Sequence, residues 1–138
     1  SLTFCCFTGE LSAGQVKCKR DESFHSGVKM CYVNELTEIS SADTIIESQD
    51  DAIERLVFSF NAKIKFLPIK VSENFPNLQK LEASYCSLTI ISKPNFKGLS
   101  KLRSLLLDHN QIEMIRSDAL EDLIALEELD LCEFNLIN

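Results

Sequence analysis

The sequence has few of the residues on which catalysis depends and no apolar segment of membrane-spanning length. Its 138 residues include two histidines, and no serine or cysteine beside either of them forms a recognised nucleophile motif. No apolar run approaches the roughly 20 residues that a membrane-spanning helix needs. We therefore expect a chain that is not an enzyme, needs no cofactor and contains no membrane span.

Basic residues are also scarce. The chain has 14 Lys and Arg residues against 21 Asp and Glu residues, which gives a formal net charge of −7. Because nucleic-acid binding depends on clustered Lys and Arg side chains, a nucleic-acid partner is not expected. The sequence also lacks Asn-x-Ser and Asn-x-Thr acceptors, and an asparagine-linked glycan would therefore not obstruct close association with a partner.

What the sequence does contain is a set of mainly aliphatic residues that recurs at a fixed period. The sets are Ile53, Leu56, Phe58, Asn61 and Ile64; Leu78, Leu81, Ala83, Cys86 and Leu88; Leu102, Leu105, Leu107, Asn110 and Ile112; and Leu126, Leu129, Leu131, Phe134 and Leu136. The period is 24 residues, except that the first four members of the first set lie 25 residues before their counterparts. Ile64 lies 24 residues before Leu88, so one extra residue near Ala62 explains the difference. Such a period is typical of a leucine-rich repeat. Asn61 and Asn110 stand where the chain turns out of its strand, and we predict that their side-chain amides satisfy backbone groups left unpaired there.

This spacing predicts an α/β repeat solenoid. Leu81 and Ala83 are two residues apart and should point to the same face of a short strand, while their neighbours point to the other face. Successive strands should lie parallel, with the core behind them and a concave wall in front. On the convex side we expect irregular or short helical segments. Ser117 and Asp118 could cap one helical turn, whereas Pro94 favours a looser path.

The order of these features predicts three parts of the chain. Residues 1–13 resemble the remnant of a signal peptide, residues 14–52 form a cysteine-containing amino-terminal cap, and residues 53–138 hold about four repeats, the last incomplete. The chain does not begin with methionine and has no polar cap after its last repeat. We therefore expect it to be the amino-terminal part of a longer protein.

Four of the six cysteines precede the first repeat, which favours an oxidising, extracellular compartment. A disulfide between Cys18 and Cys31 would close a loop of about 14 residues and contribute about 3 kcal/mol. Cys5 and Cys6 either belong to a cleaved leader or pair with those two cysteines. A zinc site is not expected, since the cysteines lack the paired ligands two to four residues apart that structural zinc sites use.

The other two cysteines lie in the repeats. Cys86 occupies the asparagine position of its repeat, and we predict a buried, unreactive thiol there. Cys132 follows Leu131 in the last predicted strand and should be exposed, which indicates a disulfide to another chain or to a residue outside this sequence. Phe134 replaces the expected asparagine, so either the register shifts there or the aromatic ring packs against a covering element.

The concave wall supplies the candidate binding residues. They are small, polar or charged, which suits a protein or glycan ligand better than a lipid, since a lipid would require a broad apolar wall. The candidates are Arg55, Val57, Ser59, Lys80, Glu82, Ser84, Ser104, Leu106, Asp108, His109, Glu128 and Asp130.

Two features of this wall have both a simple and a functional interpretation. His109 beside Asp108 is either a solvated pair at the rim or a group that senses pH or binds ligand. The carboxylates between Asp118 and Glu133 have no Lys or Arg among them. They form either a solvated face or a docking patch for a basic partner.

From Cys18 to Asn138 the chain resembles the amino-terminal portion of secreted insect leucine-rich repeat proteins, including those of the mosquito immune type. Residues 31–36 with Ile39, Ile45 and Ile46 resemble the cap, residues 51–58 the entry strand, and residues 75–78 the first junction between repeats. The resemblance implies a disulfide-bonded cap, in which Cys18 and Cys31 match the cap cysteines. It also implies repeats that bind proteins or microbial surface molecules.

Three functions are compatible with the sequence. The first is a secreted or extracellular binding module with a protein or glycan ligand on the concave face, with a role in innate immunity as the resemblance implies. The second is a structural segment of a receptor ectodomain that forms a homo- or hetero-dimer through its C-terminal end, using Cys132. The third is an intracellular adaptor, which would require reduced cysteines.

Overall fold

The structure is a computed structural model that describes residues 15–17, 19–20, 29–33, 38–39, 41, 43–48, 50–60 and 62–132. Its elements are short, as expected for a repeat protein. The strands are β1 (Gln15–Lys17), β2 (Lys19–Arg20), β3 (Met30–Val33), β4 (Glu38–Ile39), β5 (Ile45–Glu47), β6 (Arg55–Phe58), β7 (Lys63–Ile64), β8 (Lys80–Glu82), β9 (Ile90–Ile91), β10 (Ser104–Leu106), β11 (Met114–Ile115) and β12 (Glu128–Asp130). The helices are α1 (Val71–Asn74) and α2 (Lys93–Phe96).

One sheet holds a strand from each repeat. Its order is β12-β10-β8-β6-β3-β2, and all strands from β3 to β12 run parallel, while β2 pairs antiparallel with β3. Leu56 pairs with Leu81, Leu81 with Leu105, and Leu105 with Leu129. The predicted ladder of aligned leucines is therefore confirmed.

The strand register also locates the irregularity in the first repeat. Val57 pairs with Glu82, 25 positions later, whereas Phe66 bridges Ile90, 24 positions later. The extra residue must therefore lie between Val57 and Phe66, which agrees with the prediction that it lies near Ala62.

A single core runs behind this sheet. In β6, Leu56 and Phe58 are buried while Arg55 and Val57 remain partly exposed, which is the alternation expected of a strand with one face in the core. Burying each large aliphatic or aromatic side chain stabilises the fold by about 1.5–3 kcal/mol. Leu129 is 42% exposed, whereas Leu105 is fully buried, because no described strand pairs with β12 on its far side.

The convex side has small two-stranded sheets and the two short helices. β4 pairs with β7 and β9 pairs with β11, each in parallel. Helix α2 begins after Ser92, whose backbone N–H donates to Asn95 Oδ1 at 2.9 Å. Pro94 lies in the first turn, where its missing N–H leaves no intrahelical bond unmade.

The prediction that the convex segment after Ser117 forms a helical turn, and that the segment at Pro94 does not, was wrong. Residues 117–122 form turns, in which Ala119 N–H bonds Arg116 O at 3.0 Å and Leu123 N–H bonds Leu120 O at 3.1 Å. These bonds join residues three apart and do not extend into an α-helix. The carboxylate of Asp122 instead accepts a hydrogen bond from Gly98 N–H at 2.8 Å.

Asn110 satisfies the backbone where the chain leaves its strand. Its Nδ2 donates to the carbonyl oxygens of Ala83 (2.7 Å) and Leu107 (2.9 Å), and its Oδ1 accepts from the N–H groups of Cys86 (2.9 Å) and Leu88 (3.1 Å). This confirms the role predicted for the repeat asparagine. Asn61, to which the same role was assigned, lies outside the described residues.

Cys86 takes the asparagine position in the preceding repeat. Its thiol is buried and donates to the carbonyl oxygens of Ser84 at 3.2 Å and Ser59 at 3.4 Å. Burial raises the pKa of this thiol to about 12. The predicted burial of this cysteine is thus confirmed, and a raised pKa is the direction expected of an unreactive thiol.

The segment predicted to form the cap is described only in part. Cys31 lies in β3, is fully buried and is disulfide-bonded. Cys18, residues 1–13 and Phe134 lie outside the described residues, so the Cys18–Cys31 pairing, the leader and the last turn remain predictions. The three-part division of the chain likewise remains a prediction.

Candidate binding site on the parallel sheet

The predicted binding residues lie on the sheet face opposite the core. We call this surface the concave face. One row across the sheet consists of Arg55, Lys80, Ser104 and Glu128, and the next consists of Val57, Glu82, Leu106 and Asp130. Ser59, Ser84 and Asp108 follow the ends of β6, β8 and β10. Whether these residues bind a ligand remains a proposal.

Tyr32 also belongs to this face, although it is not among the residues predicted from the sequence. It lies on β3, pairs with Val57 and alternates with the buried residues Cys31 and Val33. Its position 25 residues before Val57 is the signal that could have placed it there.

The two cations of the concave face share one carboxylate. Arg55 Nε lies 2.8 Å from Glu82 Oε2, and Lys80 Nζ lies 3.6 Å from Glu82 Oε1. These side chains are about one-fifth to one-third exposed. Surface pairs of this kind stabilise a fold by about 0–1 kcal/mol, so their main effect is to orient the charges.

The three serines of the face are nearly buried. Ser59, Ser84 and Ser104 are each less than one-tenth exposed. Ser104 Oγ donates to Glu128 Oε2 at 2.6 Å, and Ser84 Oγ donates to the carboxylate of Asp108. Ser84 and Ser104 therefore orient carboxylates from the next repeat more than they offer surface to a ligand.

Asp108 is held by two partners. Besides Ser84, His109 Nδ1 lies 2.8 Å from its Oδ2. Partial burial alone would raise the pKa of Asp108, but the hydrogen bonds from Ser84, His109 and its own backbone N–H outweigh that effect and lower the pKa below 3.8. This is not the order of a Ser–His–Asp hydrolase, because Ser84 donates to the carboxylate and not to the imidazole.

Three aromatic side chains meet at the edge of the concave face where the strands end. Tyr85 and His109 are stacked, with ring centroids 4.1 Å apart and an interplanar angle of 11°. Phe60 meets Tyr85 edge-on, with centroids 5.3 Å apart at 63°. We call these three residues the aromatic ridge.

Only one member of the ridge was predicted from the sequence. His109 was a candidate but Phe60 and Tyr85 were not, although the three recur at intervals of 25 and 24 residues. The repeat period was the signal that could have placed them in neighbouring coils. Whether their rings touch depends on rotamers that the period does not specify.

Two members of the ridge have an unusual backbone. Tyr85 has φ 56° and His109 has φ 55°, in the left-handed region that costs a non-glycine residue roughly 1–2 kcal/mol. Glycine or asparagine would adopt this conformation at lower cost. The chain therefore has aromatic side chains where backbone preference alone would favour small ones.

Several of the carboxylates that follow Asp118 have hydrogen-bond or ion-pair partners in the structure. Glu121 forms an ion pair with Lys93 from the preceding repeat, and Asp130 Oδ1 accepts from Cys132 N–H at 3.0 Å. Glu128 is exposed and bonded to Ser104. On the part of the concave face carried by β10 and β12, the described charged side chains are all acidic apart from His109.

The described part of the chain offers no candidate for a metal site. Within those ranges, no group of three His, Cys, Asp or Glu residues is arranged to hold a metal ion. The helices of the same ranges lack the length and apolarity that crossing a membrane would require.

The repeat architecture is shared with known proteins. A family model described as leucine rich repeat matches residues 51–112. The fold is a leucine-rich repeat solenoid. The chain is 33% identical over 92 residues to leucine-rich repeat-containing G-protein coupled receptor 5 of Xenopus tropicalis, which covers 64% of this chain and 10% of the receptor. The receptor of the same name from Rattus norvegicus is 39% identical over 70 residues, covering 51% of this chain and 8% of the receptor.

A solved structure shows the same architecture. The leucine-rich repeat solenoid superposes on a chain in the crystal structure of a TLR13–ssRNA13 complex with a TM-score of 0.57 and 28% sequence identity, covering 62% of this chain and 12% of that chain. The chain thus spans about a tenth of the length of the proteins it matches. These matches support a leucine-rich repeat protein.

Proposed function

We propose that this leucine-rich repeat chain is an extracellular protein-binding module that holds its partner on the concave face. The observation that carries the proposal is the alignment of mixed polar, charged and apolar side chains across four parallel repeat strands. Polar contacts between neighbouring repeats hold many of them in place, and a preorganised surface loses less entropy when it binds.

Two further observations support the extracellular part of the proposal. The curated relatives are named as receptors, and Cys31 is disulfide-bonded, which is typical of proteins from oxidising compartments. A role in innate immunity, implied by the resemblance to mosquito immune proteins, is a narrower form of the same proposal.

A protein partner is favoured over nucleic acid. The matched TLR13 structure is a complex with ssRNA13, but that ligand belongs to TLR13. The net charge of this chain is −7, and a phosphate backbone would be repelled by the carboxylates of Asp108 after β10 and of Glu128 and Asp130 on β12.

Site-specific photo-crosslinking tests the proposal. A benzoylphenylalanine placed at Leu106, on the concave face, should crosslink a discrete protein at the surface or in the medium of cells that produce the chain. The same group placed at Met114, which is 46% exposed on the convex side, is the matched control. Crosslinking from Met114 alone, or equally from both positions, would contradict a concave binding face.

Dimerisation through the C-terminal end is a second candidate function. It is favoured by the exposure of Leu129 and Ile124 near that end, where apolar side chains would be covered by a second copy. Sedimentation velocity should then show a dimer, and non-reducing electrophoresis should show a covalent form that Cys132→Ser removes. A monomer at all accessible concentrations would rule this function out.

A further inference from the structure

We propose that the aromatic ridge of Phe60, Tyr85 and His109 receives a cationic side chain, Arg or Lys, from an extended basic segment of the protein partner. This inference rests on the proposed function and deepens it by naming the chemistry of the partner. It is carried by ring geometry, exposure, backbone conformation and the distribution of charge around the ridge.

The ridge exposes aromatic surface that a folded chain would normally bury. Phe60 is 64% exposed and Tyr85 is 43% exposed. Rings of this size contribute strongly to interface energetics when a partner covers them. The edge-on and stacked contacts hold Tyr85 between its two neighbours, so less side-chain freedom is lost on binding.

The backbone conformation of the ridge supports the same inference. Tyr85 adopts a left-handed conformation, which is unfavourable for a bulky residue, whereas His109 adopts one that histidine tolerates more often. Strained conformations of this kind cluster at ligand-binding sites, where the side chain that they present has a use. The burial of core residues does not account for these rings, because none of the three belongs to the buried core cluster.

The surrounding charge selects a cation. Asp108 is bonded to His109, and Asp130 lies at the end of the neighbouring strand, in register with Leu106. A guanidinium or ammonium group over an exposed ring gains cation–π attraction, and the nearby carboxylates add to it. An anionic ligand would be repelled, and a neutral glycan could stack on the rings but would make no use of the carboxylates.

The length of the ridge suits a peptide. Three neighbouring coils span two strand spacings, about 10 Å, and an extended chain of about three residues covers that length at about 3.3 Å per residue. A short segment with alternating basic side chains could therefore place two of them along the ridge and its acidic border.

Histidine NMR provides a direct test, because the chain has only two histidines. With ring-labelled histidine in the 138-residue chain, titration with a capped Arg-Gly-Arg peptide should shift the His109 signal to saturation. A peptide with citrulline in place of arginine keeps the shape and removes the charge, and it should bind at least roughly tenfold more weakly. Equal binding of the two peptides, or no saturable shift with Arg-Gly-Arg, would overturn the proposal.

Two ridge variants and one control complete the test. Phe60→Ser and Tyr85→Asn should each weaken Arg-Gly-Arg binding by roughly tenfold; asparagine tolerates the left-handed backbone at that position. Met114→Ser removes a comparably exposed apolar side chain from the convex side and should leave binding unchanged. Unchanged binding in both ridge variants, with the circular dichroism spectrum of the parent chain, would also overturn the proposal.

The same variants separate this inference from the proposed function. If the crosslink from Leu106 persists in Phe60→Ser and Tyr85→Asn while the Arg-Gly-Arg titration fails, the concave face binds protein without the ridge and only the ridge proposal is wrong. Saturable shifts of His109 with chitotetraose but not with Arg-Gly-Arg would instead identify a glycan site and overturn the ridge proposal.

Discussion

Single residues in this chain complete interactions that the repeat backbone leaves open. Asn110 is buried and bonds backbone groups of both its own coil and the preceding one. Cys86 uses a thiol for part of the same task, but it offers one weak donor where the amide offers two donors and an acceptor. The asparagine position of each repeat is therefore a place where side-chain chemistry decides local stability.

Replacing Asn110 with alanine should destabilise the fold strongly. The change leaves the N–H groups of Cys86 and Leu88 and the carbonyl oxygen of Ala83 without their side-chain partner in a buried site. Each buried group left unpaired costs about 1–3 kcal/mol, so we expect the free energy of unfolding to fall by at least about 3 kcal/mol. Urea denaturation measures this change.

Asn77→Ala is the matched control for that prediction. Asn77 donates to Asp51 O at 2.8 Å from an exposed position, where water can replace the bond, and its loss should change stability by less than about 1 kcal/mol. An equal effect of the two substitutions would contradict the role assigned to Asn110.

Ser84→Ala should change the pH dependence of stability. The hydrogen bond from Ser84 helps to hold the pKa of Asp108 below its ordinary value of 3.8. A lowered folded-state pKa means that the stabilisation is fully present above that ordinary value and is lost as pH falls through the folded-state pKa. At pH 7 the variant should be about 1 kcal/mol less stable than the parent chain.

The difference should shrink as the pH falls below the pKa of Asp108 in both proteins. A carbon-detected NMR titration of the Asp108 carboxyl group should show a higher pKa in the variant than in the parent chain. A stability difference that is the same at pH 7 and at pH 2, or an unshifted carboxyl titration, would refute this account.

At the scale of elements, each strand is stabilised by its neighbours on both sides. β10 lies between β8 and β12, and the described structure places a strand against only one side of β12. Leu105 and Leu129 therefore occupy the same position of successive repeats and differ in burial.

This pair makes a matched experiment. Leu105→Ala removes a fully buried side chain from between two coils and should lower the free energy of unfolding by about 2–5 kcal/mol. Leu129→Ala makes the same chemical change at a side chain that is 42% exposed, and it should cost less than half as much. Thermal unfolding monitored by circular dichroism compares the two variants. A larger loss of stability for Leu129→Ala than for Leu105→Ala would contradict the difference in burial between the two leucines.

At the scale of the whole molecule, the core is continuous. The buried residues from Cys31 in β3 to Leu123 before β12 form one cluster without a gap between coils. In a solenoid, neighbouring repeats stabilise each other through such shared interfaces. The described coils should therefore unfold together and not as separate units.

Tyrosine fluorescence can test this cooperativity, since the chain has two tyrosines and no tryptophan. Tyr85→Phe leaves Tyr32 as the single fluorescent probe, in β3, the second strand from one end of the sheet. Its urea midpoint should coincide with that of backbone circular dichroism, which reports on all strands. Two separated midpoints would show that the coils near β3 unfold independently of the rest.

The sequence alone was sufficient to predict the repeat fold. The period of Leu56, Leu81, Leu105 and Leu129 predicted parallel strands in register, and alternation along each strand predicted which side chains face the core. It also predicted the roles of Asn110 and Cys86. These features follow from local geometry, because a strand alternates its side chains and a repeat returns to the same place in each coil.

The tertiary structure decided what the candidate site is made of. It buried the serines that the sequence had offered as contact residues, bonded Ser84 and Ser104 to carboxylates one repeat later, and brought Phe60, Tyr85 and His109 into contact. It also placed the helical turn at Lys93–Phe96 and not after Ser117. Such contacts depend on rotamers, on the size of side chains in neighbouring coils and on competition for hydrogen bonds, none of which a one-dimensional period specifies.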